Sequence, residues 1–290
     1  MSKKSEATAC QFADGRLAAL SWGDSQAPVW LALHGWLDNA ASFSRLAPLL
    51  VQQLGIRVIA IDFSGHGQSR ALPGEYDYAL WDYCYDVLDV IDELALESVT
   101  LLAHSMGAGV ACLLAAALPE RVAELRLIDG LGALTTQADD APDQLRRALL
   151  SQRRLRRGRP CYDTQQQAVN ARVAGGATPV DADTITSVVQ RNLQPTADGK
   201  LTLTSDSRLL RPSPVRLTPE QLDAMLAAIR CPTLLIEGEA GILGEQARAV
   251  SARAAVPALQ RRVLPGGHHL HLELAHVSAV AAALGEKLAT

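Results

Sequence analysis

A serine flanked by small residues is the feature of this sequence that most directly suggests chemistry. Ala103-His-Ser105-Met-Gly107 follows an apolar run of strand length and opens an alanine-rich, helix-like stretch. A serine on so tight a strand-to-helix turn needs small residues two positions away on each side, because the strand and helix backbones come close together there. The pattern predicts that Ser105 is a nucleophile. The alternative is a glycine-softened start to an ordinary packed helix.

Two backbone N–H groups could stabilise negative charge beside that serine. His34-Gly-Trp36-Leu-Asp-Asn39 ends another apolar run, and its glycine lets the loop turn so that the Trp36 N–H faces Ser105. Together with the Met106 N–H, at the positive end of the following helix, this group would form an oxyanion hole. The same six residues also fit a plain turn in which one of the last two caps a helix, and one backbone can serve both purposes.

A general base must be free to rotate, so it is expected on a loop. Pro265-Gly-Gly-His268-His269-Leu-His271 follows the last apolar run, and His268 comes directly after the glycines. We therefore expect His268 to be the base, and His269 and His271 to pack or face solvent as the chain enters its final helix. Clustered histidines also suggest a metal, but no carboxylate or cysteine stands at a ligand spacing, so neither a metal nor a cofactor is expected.

The strands that would position these residues are recognisable as continuous apolar runs. Such runs are typical of parallel strands that are buried on both faces. They alternate with helix-like segments, and each ends in a polar residue, where ligand sites lie in open α/β sheets. A hairpin strand is also expected at the sheet edge over Arg16–Trp22, and a final core strand over Arg261–Leu264. The five runs are Val29–His34, Val58–Asp62, Val99–His104, Leu125–Asp129 and Thr233–Glu237.

The strand pattern stops between Asp129 and Thr233. Polar segments of helical spacing, punctuated by prolines, take its place. The sequence predicts a helical cap over residues 131–229, inserted into a core made of residues 1–130 and 230–290. The helices expected in the cap are Asp143–Arg157, Thr164–Ala174, Asp181–Gln190 and Pro219–Ile229.

An arginine cluster between Arg146 and Arg159 follows three aspartates in the predicted cap. One interpretation of this charge pattern is a solvated helix. The helix dipole favours acidic residues in the first turn and basic residues in the last. The other interpretation is that one or two of these arginines face the cleft and attract an anionic substrate, so that neutralising Arg153 and Arg157 would weaken the binding of anionic esters. Nucleic acid is not expected as a partner, because no aromatic residues interleave with the arginines.

Composition narrows the class of protein further. The 290 residues are 48% apolar, enough for a core that needs no disulfide or structural metal, and the net charge of −4 argues against a nucleic-acid binder. The longest nearly apolar stretch, Met106–Leu118, falls short of the roughly 18 residues of a membrane-spanning helix. The first residues show no apolar secretory region, and the five cysteines show no paired spacing. We therefore expect a cytoplasmic protein with reduced thiols and no membrane partner.

In combination, these motifs resemble the α/β-hydrolase superfamily. The similarity covers nearly the whole chain apart from the predicted cap and includes Asp62-Phe-Ser-Gly-His66-Gly67. That stretch and His34–Asn39 resemble the branch called serine hydrolase-like proteins. The resemblance implies an α/β-hydrolase fold, with a mostly parallel sheet and flanking helices, in which Asp62 and His66 brace the loop below the site. It also implies that Ser105 is the nucleophile and His268 the base. The oxyanion donors that it implies are Trp36 and Met106.

The acid of a catalytic triad is the one member that departs from the usual pattern. Many relatives carry it after the seventh strand, as Gly-Glu-x-Asp, but here Gly238-Glu-Ala-Gly241 ends in glycine. Other members of the superfamily carry the acid at the end of the sixth strand, where this chain has Asp129. We expect Asp129 to be the acid, with Glu239 as the alternative.

The sequence thus predicts a serine hydrolase that cleaves a carboxylic ester or thioester of a small-molecule acyl substrate through an acyl-enzyme on Ser105. A serine at this position argues against dehalogenase or epoxide hydrolase chemistry, which needs a carboxylate nucleophile. Two alternatives stay open: a carbon–carbon bond hydrolase on the same site, and a non-catalytic hydrolase-like binding protein. The oligomeric state is open as well.

Overall fold

Strands and helices alternate along this computed structural model, which describes residues 6–153 and 159–288. Strands β1 to β11 are Thr8–Phe12, Leu17–Trp22, Val29–Leu33, Arg57–Ile61, Val99–His104, Val122–Ile128, Cys161–Tyr162, Leu193–Pro195, Leu201–Leu203, Thr233–Ala240 and Leu259–Gly267. Helices α1 to α9 are Leu46–Leu54, Asp82–Glu93, Met106–Ala117, Ala141–Arg153, Gln165–Gly175, Ala182–Arg191, Pro219–Ala227, Ala247–Ala255 and Val277–Leu284.

The main sheet has the strand order β1-β2-β4-β3-β5-β6-β10-β11. The β1–β2 and β2–β4 pairs are antiparallel and the remaining pairs are parallel, which confirms the predicted mostly parallel sheet. β5 is central, with β3 on one side and β6 on the other. The carboxyl ends of these three strands therefore meet at one edge, where His34, Ser105 and Asp129 follow them.

The five apolar runs of the sequence correspond to β3, β4, β5, β6 and β10. The strand expected at the sheet edge is β2, but that placement was wrong, because β2 is flanked by β4 and by the edge strand β1. β1 was not expected, because most of its residues are exposed and carry no core pattern. The last strand, β11, is longer than expected at both ends and runs up to Gly267, next to the histidine loop.

Side chains on the two faces of the sheet enter two separate apolar clusters. Leu31 and Leu33 of β3 face α2, α3 and α7, whereas Trp30 and Ala32 face α1 and α9. This alternation follows from the two-residue period of a strand. Fully burying each leucine or isoleucine side chain stabilises the fold by roughly 1.5–3 kcal/mol before the loss of conformational entropy is counted. The sheet is thus a rigid base for the loops at its carboxyl edge.

Helix α3 starts directly after Ser105, and nine of its twelve residues are buried. Glycine lets its first turn approach other backbone closely: a Cβ at Gly107 would lie 2.3 Å from the carbonyl oxygen of Leu33, and one at Gly109 would lie 2.7 Å from that of Gly132. None of the helices within the described ranges is long and apolar enough to cross a membrane.

Between β6 and β10 the chain leaves the main sheet and forms α4, α5, α6 and α7. All four overlap helices expected in the cap, and the expected end of the first, at Arg157, lies outside the described residues. A three-stranded sheet of order β7-β9-β8 was missed, because strands of two or three residues carry no readable period. An apolar cluster formed by α5 and α6 receives Leu272, which follows the histidine loop. The segment thus contacts the loop that carries the expected base.

Helix α7 of the predicted cap packs on the main core. It packs against α3 and α8, and its Leu222 and Leu226 belong to the main core. Thr218 starts the helix with a capping box, in which its side chain accepts from the N–H of Gln221 and the Gln221 side chain accepts from the N–H of Thr218. Leu131 and Leu209 of the same segment also belong to the main core, and the cap boundary at residue 229 stays a prediction. We use the name inserted segment for residues 131–218.

Candidate active site

Ser105 lies on a strained turn between β5 and α3. Its backbone has φ 51° and ψ −114°, which only glycine adopts readily. The turn is packed on both sides: a Cβ at Gly130 would lie 2.7 Å from the Cα of Ser105, and the Ser105 N–H donates to the carbonyl oxygen of Ile128. The small residues that the sequence places around Ser105 are therefore a steric requirement of the turn, and the hydroxyl projects away from it.

Ser105→Gly is expected to be more stable than Ser105→Ala. Both changes remove the hydroxyl, but alanine keeps the strained φ, which costs about 1–3 kcal/mol, whereas glycine loses roughly 0.5–1 kcal/mol more chain entropy on folding. We expect a free energy of unfolding about 1 kcal/mol higher for Ser105→Gly, measured by urea denaturation. A Ser105→Gly variant that is roughly 0.5–1 kcal/mol less stable than Ser105→Ala would show that the turn stores no strain.

Ser105, His268 and Asp129 form a continuous hydrogen-bonded chain. The Ser105 Oγ lies 2.9 Å from Nε2 of His268, and Nδ1 of His268 lies 2.6 Å from Oδ2 of Asp129. Asp129 is fully buried and His268 is nearly so. In this arrangement Nδ1–H donates to the carboxylate, which leaves the lone pair of Nε2 directed at the serine hydroxyl. These are the contacts that a serine nucleophile and its base require.

Asp129 is held by the loop that follows β10. The N–H of Ile242 donates to Oδ2 of Asp129 at 2.9 Å, and the N–H of Gly238 donates to Oδ1 at 3.3 Å. Gly241 leaves the space that the carboxylate fills, since a Cβ there would lie 2.1 Å from Oδ1. The glycine at the usual position of the acid is therefore required by the aspartate after β6, because a larger residue would fill the space that the carboxylate occupies. The alternative acid, Glu239, is exposed at the end of β10.

Trp36 and Met106 lie next to Ser105, as expected for oxyanion donors. The loop before Trp36 touches the serine, since a Cβ at Gly35 would lie 3.2 Å from the Ser105 Cβ, and α3 is joined to that loop by a 3.1 Å bond from the Gly107 N–H to the His34 carbonyl oxygen. Within residues 6–153 and 159–288, neither the Trp36 N–H nor the Met106 N–H has a hydrogen-bond acceptor. Both groups are free to bind a negatively charged oxygen.

Asp62 and His34 hold the loops below the site. Asp62 is fully buried and accepts from the N–H groups of Ala40 and Gln68, at 2.7 and 2.8 Å, and from Arg191. His34 donates from Nδ1 to the Gly35 carbonyl oxygen and accepts at Nε2 from the Phe63 N–H, so it is neutral in this arrangement. Its ring packs edge-on against His66, at 5.0 Å between centroids.

Asp38 is the buried residue whose environment the sequence did not reveal. Its Oδ2 lies 3.1 Å from Nε2 of His269 and 3.8 Å from Nδ1 of His104. No carboxylate stands at a ligand spacing from these histidines in the sequence, but the fold places one beside them, because Asp38 lies on a loop far away in sequence. Asn39, in contrast, caps the short 3-10 turn Ala40–Phe43 through its side chain.

The histidines that follow His268 are buried and do not face solvent. The ring centroid of His104 lies 4.6 Å from that of His268 and 4.2 Å from that of His271. Burial lowers the pKa of His271 to about 3, and neighbouring histidines add to this. Burial alone would raise the pKa of Asp38, but His269, His104 and Arg172 hold it well below its usual range. A buried carboxylate therefore lies against buried histidine rings beside the site.

A family model described as the alpha/beta hydrolase fold matches residues 28–274. The chain belongs to the α/β-hydrolase family. Within this family it belongs to the serine hydrolase-like branch: it is 31% identical over 269 residues to a serine hydrolase-like protein of Dictyostelium discoideum, a match that covers 89% of this chain and 74% of the relative. The predicted superfamily and branch are both confirmed.

Solved structures give the same fold for this α/β-hydrolase. A hypothetical protein of Pseudomonas aeruginosa PAO1 superposes with a TM-score of 0.85 at 42% identity, covering 96% of each chain. A thioesterase domain from the curacin biosynthetic pathway superposes with a TM-score of 0.81 at 26% identity, covering 97% of this chain and 99% of that domain. The comparisons support a hydrolase and leave its substrate open.

The inserted segment of this α/β-hydrolase is fastened to the loop that follows β3. The Trp36 indole N–H donates to the Leu209 carbonyl oxygen at 2.9 Å, and the Asn39 amide donates to the Val188 carbonyl oxygen at 2.8 Å. Arg172 of α5 lies 3.4 Å from Oδ1 of Asp38. The loop that presents an expected oxyanion donor therefore also holds part of the inserted segment. The loop after β4 holds another part, since its carbonyl oxygens accept from Arg208.

The arginines of the inserted segment are only partly within the described residues. Arg153 is exposed at the end of α4, and Arg157 lies outside the described ranges, so their role toward an anionic substrate stays a prediction. Arg146 and Arg147 line a cavity of about 650 Å³ with Arg216, together with two aspartates. Burial lowers the pKa of Arg216, and the like charge of Arg147 adds to this.

Acid is expected to destabilise this α/β-hydrolase through its buried histidines. Burial lowers the pKa of His66 to about 3, and His34 adds to this, whereas the Ser64 carbonyl oxygen and the carboxylates of Asp38 and Asp206 act in the opposite direction. An unfolded histidine takes up its proton near pH 6.5. Between that pH and about 3 the unfolded state therefore binds more protons than the folded state, so stability falls as the pH falls.

The free energy of unfolding is expected to fall by up to about 1.4 kcal/mol per pH unit of acidification for each histidine that stays neutral in the folded state. Urea unfolding between about pH 6 and pH 4 measures it. His66→Gln should reduce the slope by that contribution, whereas His276→Gln, which removes a partly exposed histidine, serves as the matched control. An unchanged slope in His66→Gln would contradict the prediction.

Proposed function

We propose that this α/β-hydrolase cleaves carboxylic esters or thioesters of small molecules through an acyl-enzyme on Ser105. The proposal rests on one observation, the chain of contacts from Ser105 Oγ to His268 at 2.9 Å and from His268 to Asp129 at 2.6 Å. The unpaired N–H groups of Trp36 and Met106 beside the serine support it. The thioester alternative is supported by the similarity to a thioesterase domain.

In the acylation step, Nε2 of His268 takes the hydroxyl proton while Oγ of Ser105 attacks the carbonyl carbon. The carbonyl oxygen becomes negatively charged and accepts hydrogen bonds from the Trp36 and Met106 N–H groups, which are fixed before the substrate arrives. His268 then gives its proton to the departing alkoxide or thiolate as the bond to the carbonyl carbon breaks. The alcohol or thiol leaves, and the acyl group stays on Ser105.

In the deacylation step, water takes the place of the leaving group. Nε2 of His268 removes one proton from the water, and the resulting hydroxide attacks the acyl carbon. The same two N–H groups hold the second oxyanion, and His268 returns the proton to Oγ as the bond to Ser105 breaks. Asp129 keeps Nδ1 of His268 protonated throughout and stabilises the imidazolium that forms twice per cycle.

The non-catalytic alternative was based on the missing acid after the seventh strand. The contact between His268 and Asp129 removes the basis of that argument, because the base has a buried carboxylate partner. Carbon–carbon bond hydrolysis would use the same three residues, and its distinguishing substrate contacts would come from the inserted segment. Ester or thioester cleavage is the simpler reaction for this site, because an alkoxide or thiolate is a far better leaving group than the carbanion that carbon–carbon cleavage expels.

An active-site label tests the proposal. A fluorophosphonate probe is expected to modify Ser105 in the folded protein, and an activated aryl ester is expected to give a burst of one product molecule per active site. Mass spectrometry locates the label, and rapid mixing measures the burst. Both should vanish in Ser105→Ala and persist in Ser25→Ala, which removes an exposed serine between β2 and β3. A label elsewhere, or no acylation at all, would support the non-catalytic alternative.

A further inference from the structure

Three buried side chains from separate parts of the chain converge beside the triad. Asp38 comes from the loop after β3, His104 ends β5, and His269 follows β11. One ligand atom from each lies within 4.8 Å of the others: Oδ2 of Asp38, a ring nitrogen of His104 and a ring nitrogen of His269. None of the three takes part in the proton transfers proposed above.

The tautomer of His104 shows that one of these atoms is an unused electron pair. Its Nε2 lies 2.9 Å from the backbone carbonyl oxygen of His268, which can only accept, so the hydrogen is on Nε2. Nδ1 then carries a lone pair, which has no hydrogen-bond partner among the described residues although the side chain is fully buried. That lone pair faces the Asp38 carboxylate at 3.8 Å. Two acceptors face each other with no hydrogen between them.

A cation between the two acceptors would convert this unfavourable contact into two bonds. Two of the three ligand–ligand separations suit an ion of zinc size, because metal–ligand bonds of about 2.0–2.1 Å in tetrahedral geometry put ligand atoms roughly 3.3–3.5 Å apart. The third, between the two imidazole nitrogens, is within 4.8 Å. Oδ2 of Asp38 lies 3.1 Å from Nε2 of His269 and 3.8 Å from Nδ1 of His104, which brackets that range.

The surroundings of His104 and Asp38 match those of metal ligands, whereas Nδ1 of His269 has no hydrogen-bond partner among the described residues. A metal-binding histidine almost always donates its other ring N–H to a carbonyl or carboxylate, as Nε2 of His104 does. The second carboxylate oxygen of Asp38 is held by Arg172 at 3.4 Å, which leaves Oδ2 for the histidines. Imidazole nitrogens with one carboxylate are ligands suited to zinc, cobalt and nickel rather than magnesium or calcium.

We propose that Asp38, His104 and His269 form a binding site for a transition-metal ion of the zinc type. The fourth ligand would be water. His269 binds through Nε2, so its hydrogen moves to Nδ1 when the ion enters, and no proton is lost from the protein. The site is separate from the triad and does not depend on the proposed function, because binding can be measured without any substrate.

Cobalt absorption tests the site. The full chain, stripped with a chelator, is titrated with Co²⁺, and one equivalent is expected to give the intense visible bands of four-coordinate cobalt. Asp38→Asn and His269→Gln are each expected to weaken binding at least roughly 100-fold, since even an outer-shell change costs 10- to 100-fold. His276→Gln, which removes a partly exposed histidine beside Glu273, should bind like the wild type.

The triad itself is the competing location for the ion, and Asp129→Asn distinguishes the two. Retained cobalt bands in Asp129→Asn support the proposed site, whereas their loss there would place the ion at His268 and overturn the proposal. If a ligand variant fails to fold, X-ray absorption on zinc-loaded wild type decides, because the site requires two imidazoles at about 2.0–2.1 Å. Absence of a bound equivalent in the wild type would also overturn it.

Discussion

Asp129→Asn is expected to lower kcat by about 10⁴ while leaving the fold intact. Oδ2 of Asp129 accepts from His268 at 2.6 Å, so the carboxylate fixes the hydrogen on Nδ1. An asparagine can place an N–H there instead, which stabilises the other tautomer and leaves Nε2 protonated and unable to take the serine proton. Steady-state kinetics with an aryl ester, alongside circular dichroism, measure both parts of the prediction.

Glu239→Gln is the matched control, because it makes the same chemical change in the exposed alternative acid. We expect near-normal kcat for this variant. If Glu239→Gln lost activity and Asp129→Asn kept it, the acid would be Glu239 and the observed contact would be structural. If neither change mattered, His268 would work without a carboxylate partner or would not be the base.

Gly241→Ala is expected to lower kcat by about 100-fold, which is the effect of displacing a catalytic group by about 1 Å. The backbone of Gly241 is not in the left-handed region, so alanine is compatible with the loop conformation. Its methyl group, however, would lie 2.1 Å from Oδ1 of Asp129 and must push the carboxylate away from His268. Kinetics and thermal unfolding, measured together, separate this local effect from a loss of stability.

A relocation experiment completes that test. Asp129→Ala removes the acid and empties the space, and Gly241→Asp adds a carboxylate where many relatives carry theirs. We expect the double variant to be more active than Asp129→Ala alone and Gly241→Asp alone to be impaired. Full activity in Gly241→Ala would show that the carboxylate can shift without consequence, and the link between the two positions would be wrong.

The sequence was sufficient for those site residues whose surroundings are local. Ser105 needs small neighbours within two positions, and His268 follows a pair of glycines, so both patterns are readable in a few residues. The mostly parallel sheet followed from the family resemblance, and its parallel strands followed from apolar runs. The structure brings these predicted residues together, with Asp129 at hydrogen-bond distance from His268.

Features that depend on distant contacts could not be predicted. Asp38 meets His269 across 231 positions, and no local pattern distinguishes it from a helix cap. In the sequence, Gly241 indicates only that the acid is missing from its usual position. The sequence cannot show that the space a side chain would need there is filled by the Asp129 carboxylate. The docking of α7 on the core depends on two buried leucines whose spacing also fits a cap helix.

The fastening of the inserted segment to the loop after β3 limits how these proteins can diversify. The indole of Trp36 and the amide of Asn39 hold two carbonyl oxygens of that segment, and the backbone of Trp36 lines the site. A chimaera that received residues 131–218 from another family member would therefore need the matching loop as well. Recombination of this protein would therefore have to exchange the inserted segment and the loop after β3 as one unit.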